Sequence, residues 1–283
     1  MLKNTRQIFS VAKSEFISWI TNPRIIILGA LLIFIKGLAI DPLAARAERF
    51  GETLVIFEPF ISVGNSQMLL MLIPFSFLIL LSDYPRLGGN TLFFISRIGK
   101  RNWLWGQFLF LLAAIFAFLT FILLSSFVFS GGRFDTSWSD AVTKYNARFP
   151  NEAFNFDSLL LPSNIYNQIS MVRAVAETFI LLSAYLFILS LIIYLFKILF
   201  NNGTVGLAAA LTIILLGLIT TALATETKWA FPMANAVIWL HYDEILSRQI
   251  YPMWGSYLYF GVLITALGAL NFPAVRKLRF TEN

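Results

Sequence analysis

The stretch that decides the fold is residues 103–129, which read WLWGQFLFLLAAIFAFLTFILLSSFVF. It contains no charged residue, and it is longer than the roughly 20 residues that a helix needs to cross the hydrocarbon core of a bilayer. A helix is the expected element, because it pairs its backbone polar groups internally where no water is present. This stretch therefore predicts a transmembrane helix over Trp103–Phe129.

Five further apolar blocks lie on either side of this stretch. They are about Ile25–Ile40, Ser66–Leu81, Ala174–Phe196, Val205–Ala224 and Met253–Phe272. Pro74 lies inside one of them and predicts a kink, since proline removes a backbone hydrogen bond. Hydrophobic residues make up 58% of the 283 residues and charged residues 13%, against about 45–50% and 25% in soluble domains. The sequence predicts an all-α integral membrane protein, with a six-helix transmembrane domain over 25–274.

The charges between the blocks predict the orientation. Alternate segments carry twelve basic and three acidic residues on one side, and eight basic and twelve acidic residues on the other. Cytoplasmic loops are enriched in lysine and arginine, so both termini, including the basic tail 275–283, are predicted to be cytoplasmic, in a multi-pass protein of the plasma membrane. The net charge of +6 is explained by this asymmetry, and no nucleic-acid partner is expected.

Residues 1–24 are predicted to form an amphipathic interfacial helix. At 100° per residue, one arc of residues 3–20 is apolar and the opposite side is basic, with Val11 and Ile17 as exceptions. The apolar arc consists of Ile8, Phe9, Ala12, Phe16, Trp19 and Ile20. The alternative is a solvated N-terminal extension. The pair Asn22-Pro23 ends the helix before the first block.

Four segments between the blocks are long enough to have structure of their own. Segments 41–65, 130–171 and 225–252 are predicted to be external, the second as a folded cap and the third as a re-entrant or interfacial hairpin. The cytoplasmic segment 82–102 predicts a short helix that starts at Asn90 or Thr91 and ends before Gly99. Such a helix could be a docking surface for another protein, or only an interfacial anchor for the next span.

The residues that carry chemistry are sparse. The chain has no cysteine and one histidine, His241, which is predicted to be a surface or hairpin residue. It has no glycine-rich phosphate loop ending in Gly-Lys-Ser/Thr, so no catalytic, cofactor or metal site is expected in this chain. Arg173 and Glu177 are spaced i, i+4 at the start of the fourth block and predict an ion pair, either in a vestibule on the substrate path or as an interfacial anchor. Lys36 lies near the end of the first block, where it can extend to the external interface.

Residues 91–97, TLFFISR, followed by 100–107, KRNWLWGQ, resemble the connector between spans two and three of ABC-2 type transporter permeases. Gln107 stands where that family usually has lysine, and Pro85-Arg86-Leu87 where it has an acidic turn. The resemblance extends in outline over the whole chain. It identifies residues 1–24 with an elbow helix, 82–102 with a coupling helix, and 225–252 with re-entrant helices before span six.

The resemblance implies the permease subunit of an ATP-driven exporter for a hydrophobic or amphipathic substrate such as a peptide, drug, antibiotic or lipid. Two copies of a separate cytoplasmic ATPase subunit would bind ATP and Mg²⁺ and dock on the coupling helix, and a second permease would complete a homodimer or heterodimer. The implied ATPase contacts are Asn90, Thr91, Phe93, Phe94, Ser96, Arg97, Lys100 and Arg101. The alternative is an ATPase-independent secondary carrier or channel, which would require paired charges inside the membrane.

Overall fold

The computed structural model describes residues 2–66, 69–87, 89–152, 160–243 and 248–277, and these ranges are predominantly helical. The helices are α1 Leu2–Ile20, α2 Ile26–Ile35, α3 Asp41–Arg49, α4 Glu58–Asn65, α5 Leu72–Leu81, α6 Gly89–Ile98, α7 Lys100–Ser130, α8 Asp140–Thr143, α9 Tyr145–Arg148, α10 Ser163–Tyr166, α11 Met171–Phe200, α12 Gly203–Ala222, α13 Pro232–Ala236 and α14 Met253–Lys277. Short 3-10 turns cover Pro23–Ile25, Pro150–Glu152, Glu226–Ala230 and Ile238–His241, and a π turn covers Lys36–Ile40.

Five helical segments among the described residues are long and apolar enough to cross a membrane. They are α7, α11, α12, α14 and the stretch Pro23–Arg49, in which the π turn joins α2 directly to α3. The structure therefore agrees with the predicted helical, multi-pass membrane protein. Within the first stretch, Lys36 Nζ lies 2.8 Å from a carboxylate oxygen of Asp41, so the lysine charge is paired where the helix leaves the apolar block.

The second predicted block, Ser66–Leu81, contains a helix that is too short to cross the membrane alone. Its helix α5 has 10 residues and a length of about 15 Å, half of the roughly 30 Å hydrocarbon core. The helix α4 precedes it, in a segment that was predicted to be an external loop, and every residue of α4 is buried. Pro74 lies in the first turn of α5 instead of at a kink, and in that turn a missing N–H group costs no helical hydrogen bond.

The helix α11 is the centre of the molecule. Most of its apolar residues are buried, whereas α12 and α14 on its flanks are largely exposed. Two glycines allow other helices to approach it closely. An added Cβ at Gly206 of α12 would lie 2.7 Å from the carbonyl oxygen of Ile193, and one at Gly64 of α4 would lie 2.5 Å from Thr178. Small residues at helix contacts are the usual basis of tight packing in membrane proteins.

The polar contacts divide the molecule into two ends. At one end, Asp83 forms an ion pair with Arg24 and its backbone carbonyl accepts a hydrogen bond from Lys197. At the other end, Arg49 pairs with Glu152 at 2.8 Å. Each of these contacts joins residues that the charge pattern assigned to the same side of the membrane. Which end faces the cytoplasm remains a prediction.

The N-terminal helix α1 packs along the first turns of α7. Val11, Ala12 and Trp19 are buried, and an added Cβ at Gly106 of α7 would lie 2.6 Å from that of Val11. Val11 was outside the predicted apolar arc, and it is buried because part of the helix contacts protein and not lipid. Phe9, on that arc, is 63% exposed. Contact of this exposed face with lipid remains a prediction.

Candidate functional site

The short helix α6 leads into α7 through a single residue. Gly99 has φ 82°, a left-handed conformation that favours glycine, and it is the N-cap residue of α7. Its N–H donates to the carbonyl oxygen of Ile95 at 2.9 Å, and its own carbonyl accepts from the N–H of Trp103 at 3.1 Å. One glycine therefore carries backbone hydrogen bonds to both helices, so a displacement of α6 would act directly on α7.

The same helix is also tied to α1. Thr91 Oγ1 donates to the carbonyl oxygen of Arg86, and the Arg86 guanidinium donates to the hydroxyl of Ser18 and, at 3.1 Å, to its carbonyl oxygen. Ile95 is buried on the inner side of α6. These contacts connect α6 to α1 through the loop that precedes it.

The predicted ATPase contacts divide into two groups. Thr91 is buried and hydrogen-bonded inward, so its side chain supports α6 from within and offers little outer surface. Ser96, Arg97 and Arg101 are exposed, and Lys100 is half-buried. The side chains of Asn90, Phe93 and Phe94 lie outside the described part of the structure, as does the C-terminal tail beyond Lys277.

A second candidate site is a buried polar cluster at the C-terminal end of α4. Asn65 Nδ2 donates to Thr178 Oγ1 of α11 at 2.8 Å and to the carbonyl oxygen of Ile61 at 3.0 Å. Asn65 Oδ1 accepts from the backbone N–H of Ile238 at 2.8 Å. Both side chains are fully buried, so one asparagine holds together α4, α11 and the 3-10 turn Ile238–His241.

The predicted pair Arg173–Glu177 lies beside this cluster. Arg173 Nε is 2.7 Å from Glu177 Oε1, as the i, i+4 spacing predicts. The arginine side chain is half exposed, whereas the glutamate side chain is almost entirely buried. Glu177 Oε2 is buried and has no hydrogen-bond partner within the described ranges. An ionisable side chain that is buried within a span is costly, and it is therefore a candidate for function.

His241 belongs to a buried hydrogen-bonded chain and not to the surface. Its Nδ1 lies 2.9 Å from the carbonyl oxygen of Val237, and its Nε2 lies 2.8 Å from Ser256 Oγ of α14. Ser256 Oγ also donates to Asn235 Oδ1 at 2.8 Å. Burial lowers the pKa of His241 to about 4. The ring is therefore neutral at physiological pH, and the single hydroxyl hydrogen of Ser256 faces two acceptors.

Glu58 is a second buried titratable group outside the five long helices. Its Oε1 accepts from the backbone N–H of Ser139 at 2.9 Å, which joins the start of α4 to the loop before α8. Burial raises the pKa of Glu58 to about 7, and the hydrogen bond from Ser139 opposes this shift. In the part of the chain that the structure describes, no three His, Asp or Glu side chains come together as a metal site requires.

Several residues of these clusters were not recognised as candidate site residues from the sequence. Asn235 and Ser256 are single polar residues within apolar surroundings, and the partners of Asn65 and Ser256 are distant in the chain. The short polar run Asn65-Ser66-Gln67 between two apolar stretches is the feature that could have marked Asn65. Comparisons with protein families, with characterised proteins and with solved structures find no match.

Proposed function

We propose that this chain is the transmembrane permease subunit of an ATP-driven exporter of the ABC-2 type, which works with a separate ATPase subunit. The observation that carries the proposal is the position of α6. It lies at the end of the molecule that carries the excess of basic residues, and its contacts run to both α1 and α7. A motor that docks on α6 would move two helices with one contact. This is the role of a coupling helix.

These contacts give a route by which force on α6 would reach the transmembrane helices. A displacement of α6 would pass through Gly99 to α7, and through Arg86 to Ser18 of α1. The helix α1 packs along α7, where Gln107 Nε2 donates to Glu15 Oε1 at 3.0 Å. The two helices would therefore move as one body against α11 and its neighbours, which is a common form of conformational switching.

Six crossings require that α4 and α5 together form one discontinuous span. Residues 59–81 of the two helices are enough for a crossing of about 20 residues even with the interruption between them, and Glu58 would lie at the external end, outside this span. Broken helices occur in transporters where they are buried in protein, and every residue of the half-helix α4 is buried here. With this span, both termini lie on the same side, and the positive-inside rule assigns them to the cytoplasm of a plasma-membrane protein.

Residues 225–252 are proposed as a shallow re-entrant segment, and α1 as the elbow helix. Met233 of α13 packs over Gly217, where an added Cβ would lie 3.0 Å from that of Met233. Gly217 is five residues inside the end of α12, so the segment reaches about 7.5 Å below that end. The pair Arg173–Glu177 lies on the proposed substrate path, and a second permease copy or a related chain completes the transporter.

The test is co-expression of this chain with an ABC ATPase subunit encoded by a neighbouring gene of the same genome, followed by purification and an ATPase assay in liposomes. The variant Arg97→Glu on the exposed side of α6 is expected to reduce co-purification at least tenfold. Lys228→Glu makes the same charge change in the predicted external segment and should leave the complex intact. Equal co-purification of both variants with the ATPase would show that α6 is not the docking site. A wild-type chain that recruits no ATPase would overturn the proposal.

A secondary carrier is the second candidate, and one observation favours it. Glu177 is buried with one unpartnered oxygen and is next in sequence to Thr178, which contacts the end of the half-helix α4. Buried carboxylates beside half-helix ends are typical of ion-coupled carriers. Proteoliposomes that contain this chain alone would distinguish the two candidates. A carrier would take up protons with a labelled substrate under a pH gradient, and Glu177→Gln would abolish that coupling.

A further inference from the structure

A groove between α7 and α14 combines a basic end with a long apolar section. Two adjoining cavities form it, of about 470 and 710 Å³, and Phe272 lines both of them. The smaller cavity lies where α7 begins and α14 ends, and its lining includes Lys100, Arg101 and Arg276. The larger one continues along the two helices, and Thr265 is the one polar side chain in its lining.

The basic end is held in place by a direct contact between the two helices. Lys100 Nζ donates to the carbonyl oxygen of Arg276 at 2.9 Å, so the first residue of α7 is joined to the last turn of α14. Arg101 and Arg276 are exposed beside this contact. The ion pairs between described residues do not engage either arginine with a carboxylate. The end of the groove therefore presents positive charge to an anion from outside the chain.

The length of the groove matches one leaflet of a bilayer. From Arg101 to Leu112, α7 rises about 17 Å, and from Arg276 back to Ile264, α14 rises about 18 Å. Half of the hydrocarbon core is about 15 Å. When the basic end lies at the level of the headgroups, the apolar section therefore reaches the middle of the membrane.

We propose that this groove binds one anionic glycerophospholipid of the phosphatidylglycerol class. The phosphate would lie at Lys100, Arg101 and Arg276, and an acyl chain would follow the groove past Leu109 and Gly268. Positive charge at one end and apolar walls along one leaflet complement an anionic lipid more closely than a zwitterionic one. The proposal does not depend on the export function, since no ATPase takes part in the binding.

Gly268 offers a way to fill the groove without disturbing the fold. It lines the larger cavity, and an added Cβ there would meet no atom within 4 Å. Gly261, two turns earlier on α14, is equally open and does not line the groove. The variant Gly268→Phe therefore occupies the acyl-chain position, and Gly261→Phe is its matched control.

The experiment is native mass spectrometry of the purified chain in a neutral detergent, titrated with palmitoyl-oleoyl phosphatidylglycerol or with the matching phosphatidylcholine. We expect the wild type to bind phosphatidylglycerol at least tenfold more tightly. Gly268→Phe should lose this binding, and Gly261→Phe should retain it. The double variant Arg101→Gln/Arg276→Gln should weaken it about 30-fold, as expected from the usual contribution of two basic residues near a lipid surface. Lys144→Gln/Lys228→Gln removes the same charge in the predicted external segments, away from the groove, and should change the affinity less than twofold.

Three results would overturn the proposal. The first is equal affinity for the two lipids, and the second is unchanged binding by Gly268→Phe. The third is that a second copy of the chain occupies the groove. Because the chain has no cysteine, Gly268→Cys introduces a unique thiol, and its efficient oxidation to a cross-linked dimer in liposomes would assign the groove to a protein contact. Loss of ATPase association in the earlier experiment leaves these lipid measurements unchanged, so the two proposals fail separately.

Discussion

Asn65 Nδ2 donates a hydrogen bond to Thr178 Oγ1 at 2.8 Å, and this contact fixes the end of the half-helix α4 against the central helix α11. The two residues are 113 positions apart in the chain. The other amide atom, Oδ1, accepts the backbone N–H of Ile238. The asparagine thus satisfies groups from three separate segments at a place where water is excluded.

Substitution of Asn65 should therefore lower the unfolding free energy more than substitution of Thr178. Asn65→Ala leaves the Ile238 N–H and the Thr178 hydroxyl buried and unpaired, at a cost of about 2–4 kcal/mol in unfolding free energy. Thr178→Val leaves Asn65 Nδ2 bonded to Ile61, so the cost is about 1 kcal/mol. Thermal unfolding in detergent measures both variants. Equal losses would contradict a role for Asn65 as the shared partner.

Close packing at Gly206 predicts a strong steric effect. A Cβ there would lie 2.7 Å from the carbonyl oxygen of Ile193, so α12 must move away from α11 to accept any side chain. Gly206→Val should abolish the folded, monodisperse protein. Gly29→Val is the control, because a Cβ at Gly29 meets nothing within 4 Å. Size-exclusion chromatography shows whether each variant is folded and monodisperse. A well-folded Gly206→Val would mean that α12 and α11 are not in contact at Gly206.

The long helices could be predicted from the sequence, whereas the half-helix and its contacts could not. Trp103–Phe129 is uninterrupted apolar sequence, and the helix that contains it extends only a few residues further at each end. The helix α4 contains Glu58, Ser62 and Asn65, which made it resemble a loop. These polar groups are buried, and Glu58 and Asn65 have tertiary partners. Arg173–Glu177 was predictable because an i, i+4 pair is local, but the pairing of Asn65 with Thr178 depends on the complete fold.

The raised pKa of Glu58 predicts that the folded protein loses stability as the pH rises. Its pKa is about 7 in the folded protein and about 4.5 when it is exposed, so the folded state holds the proton more tightly. Stability is then highest below pH 4.5 for this group and decreases through pH 7, by up to about 3 kcal/mol. Glu58→Gln keeps the oxygen that accepts from Ser139 and has no charge to bury. Between pH 5 and 8, the melting temperature of the wild type should fall relative to that of Glu58→Gln, because both proteins share the contribution of every other titrating group. Parallel curves of melting temperature against pH for the two proteins would mean that folding does not raise the pKa of Glu58.

His241 predicts the opposite dependence, at lower pH. Its Nδ1 faces the carbonyl oxygen of Val237, which can only accept, so the neutral ring carries its hydrogen on Nδ1. Nε2 then competes with Asn235 Oδ1 for the one hydroxyl hydrogen of Ser256. The pKa is about 4 in the folded protein and about 6.5 when exposed, so the unfolded state binds the proton more tightly. The stability from this group is complete above pH 6.5 and is lost as the pH falls toward 4, by up to about 3 kcal/mol.

His241→Gln removes the titration and isolates this effect. Between pH 6.5 and 4, the melting temperature of the wild type should fall relative to that of the variant. In a Glu58→Gln background the absolute fall of the protein that retains His241 should be larger, because the opposing contribution of Glu58 is gone. Protonation of Nε2 would let His241 donate to Ser256 Oγ, so that the Ser256 hydroxyl hydrogen is available to Asn235 Oδ1 alone. Every polar atom of this hydrogen-bonded series would then have a partner. If the wild type does not lose stability relative to His241→Gln, that gain in hydrogen bonding outweighs the cost of burying the charge.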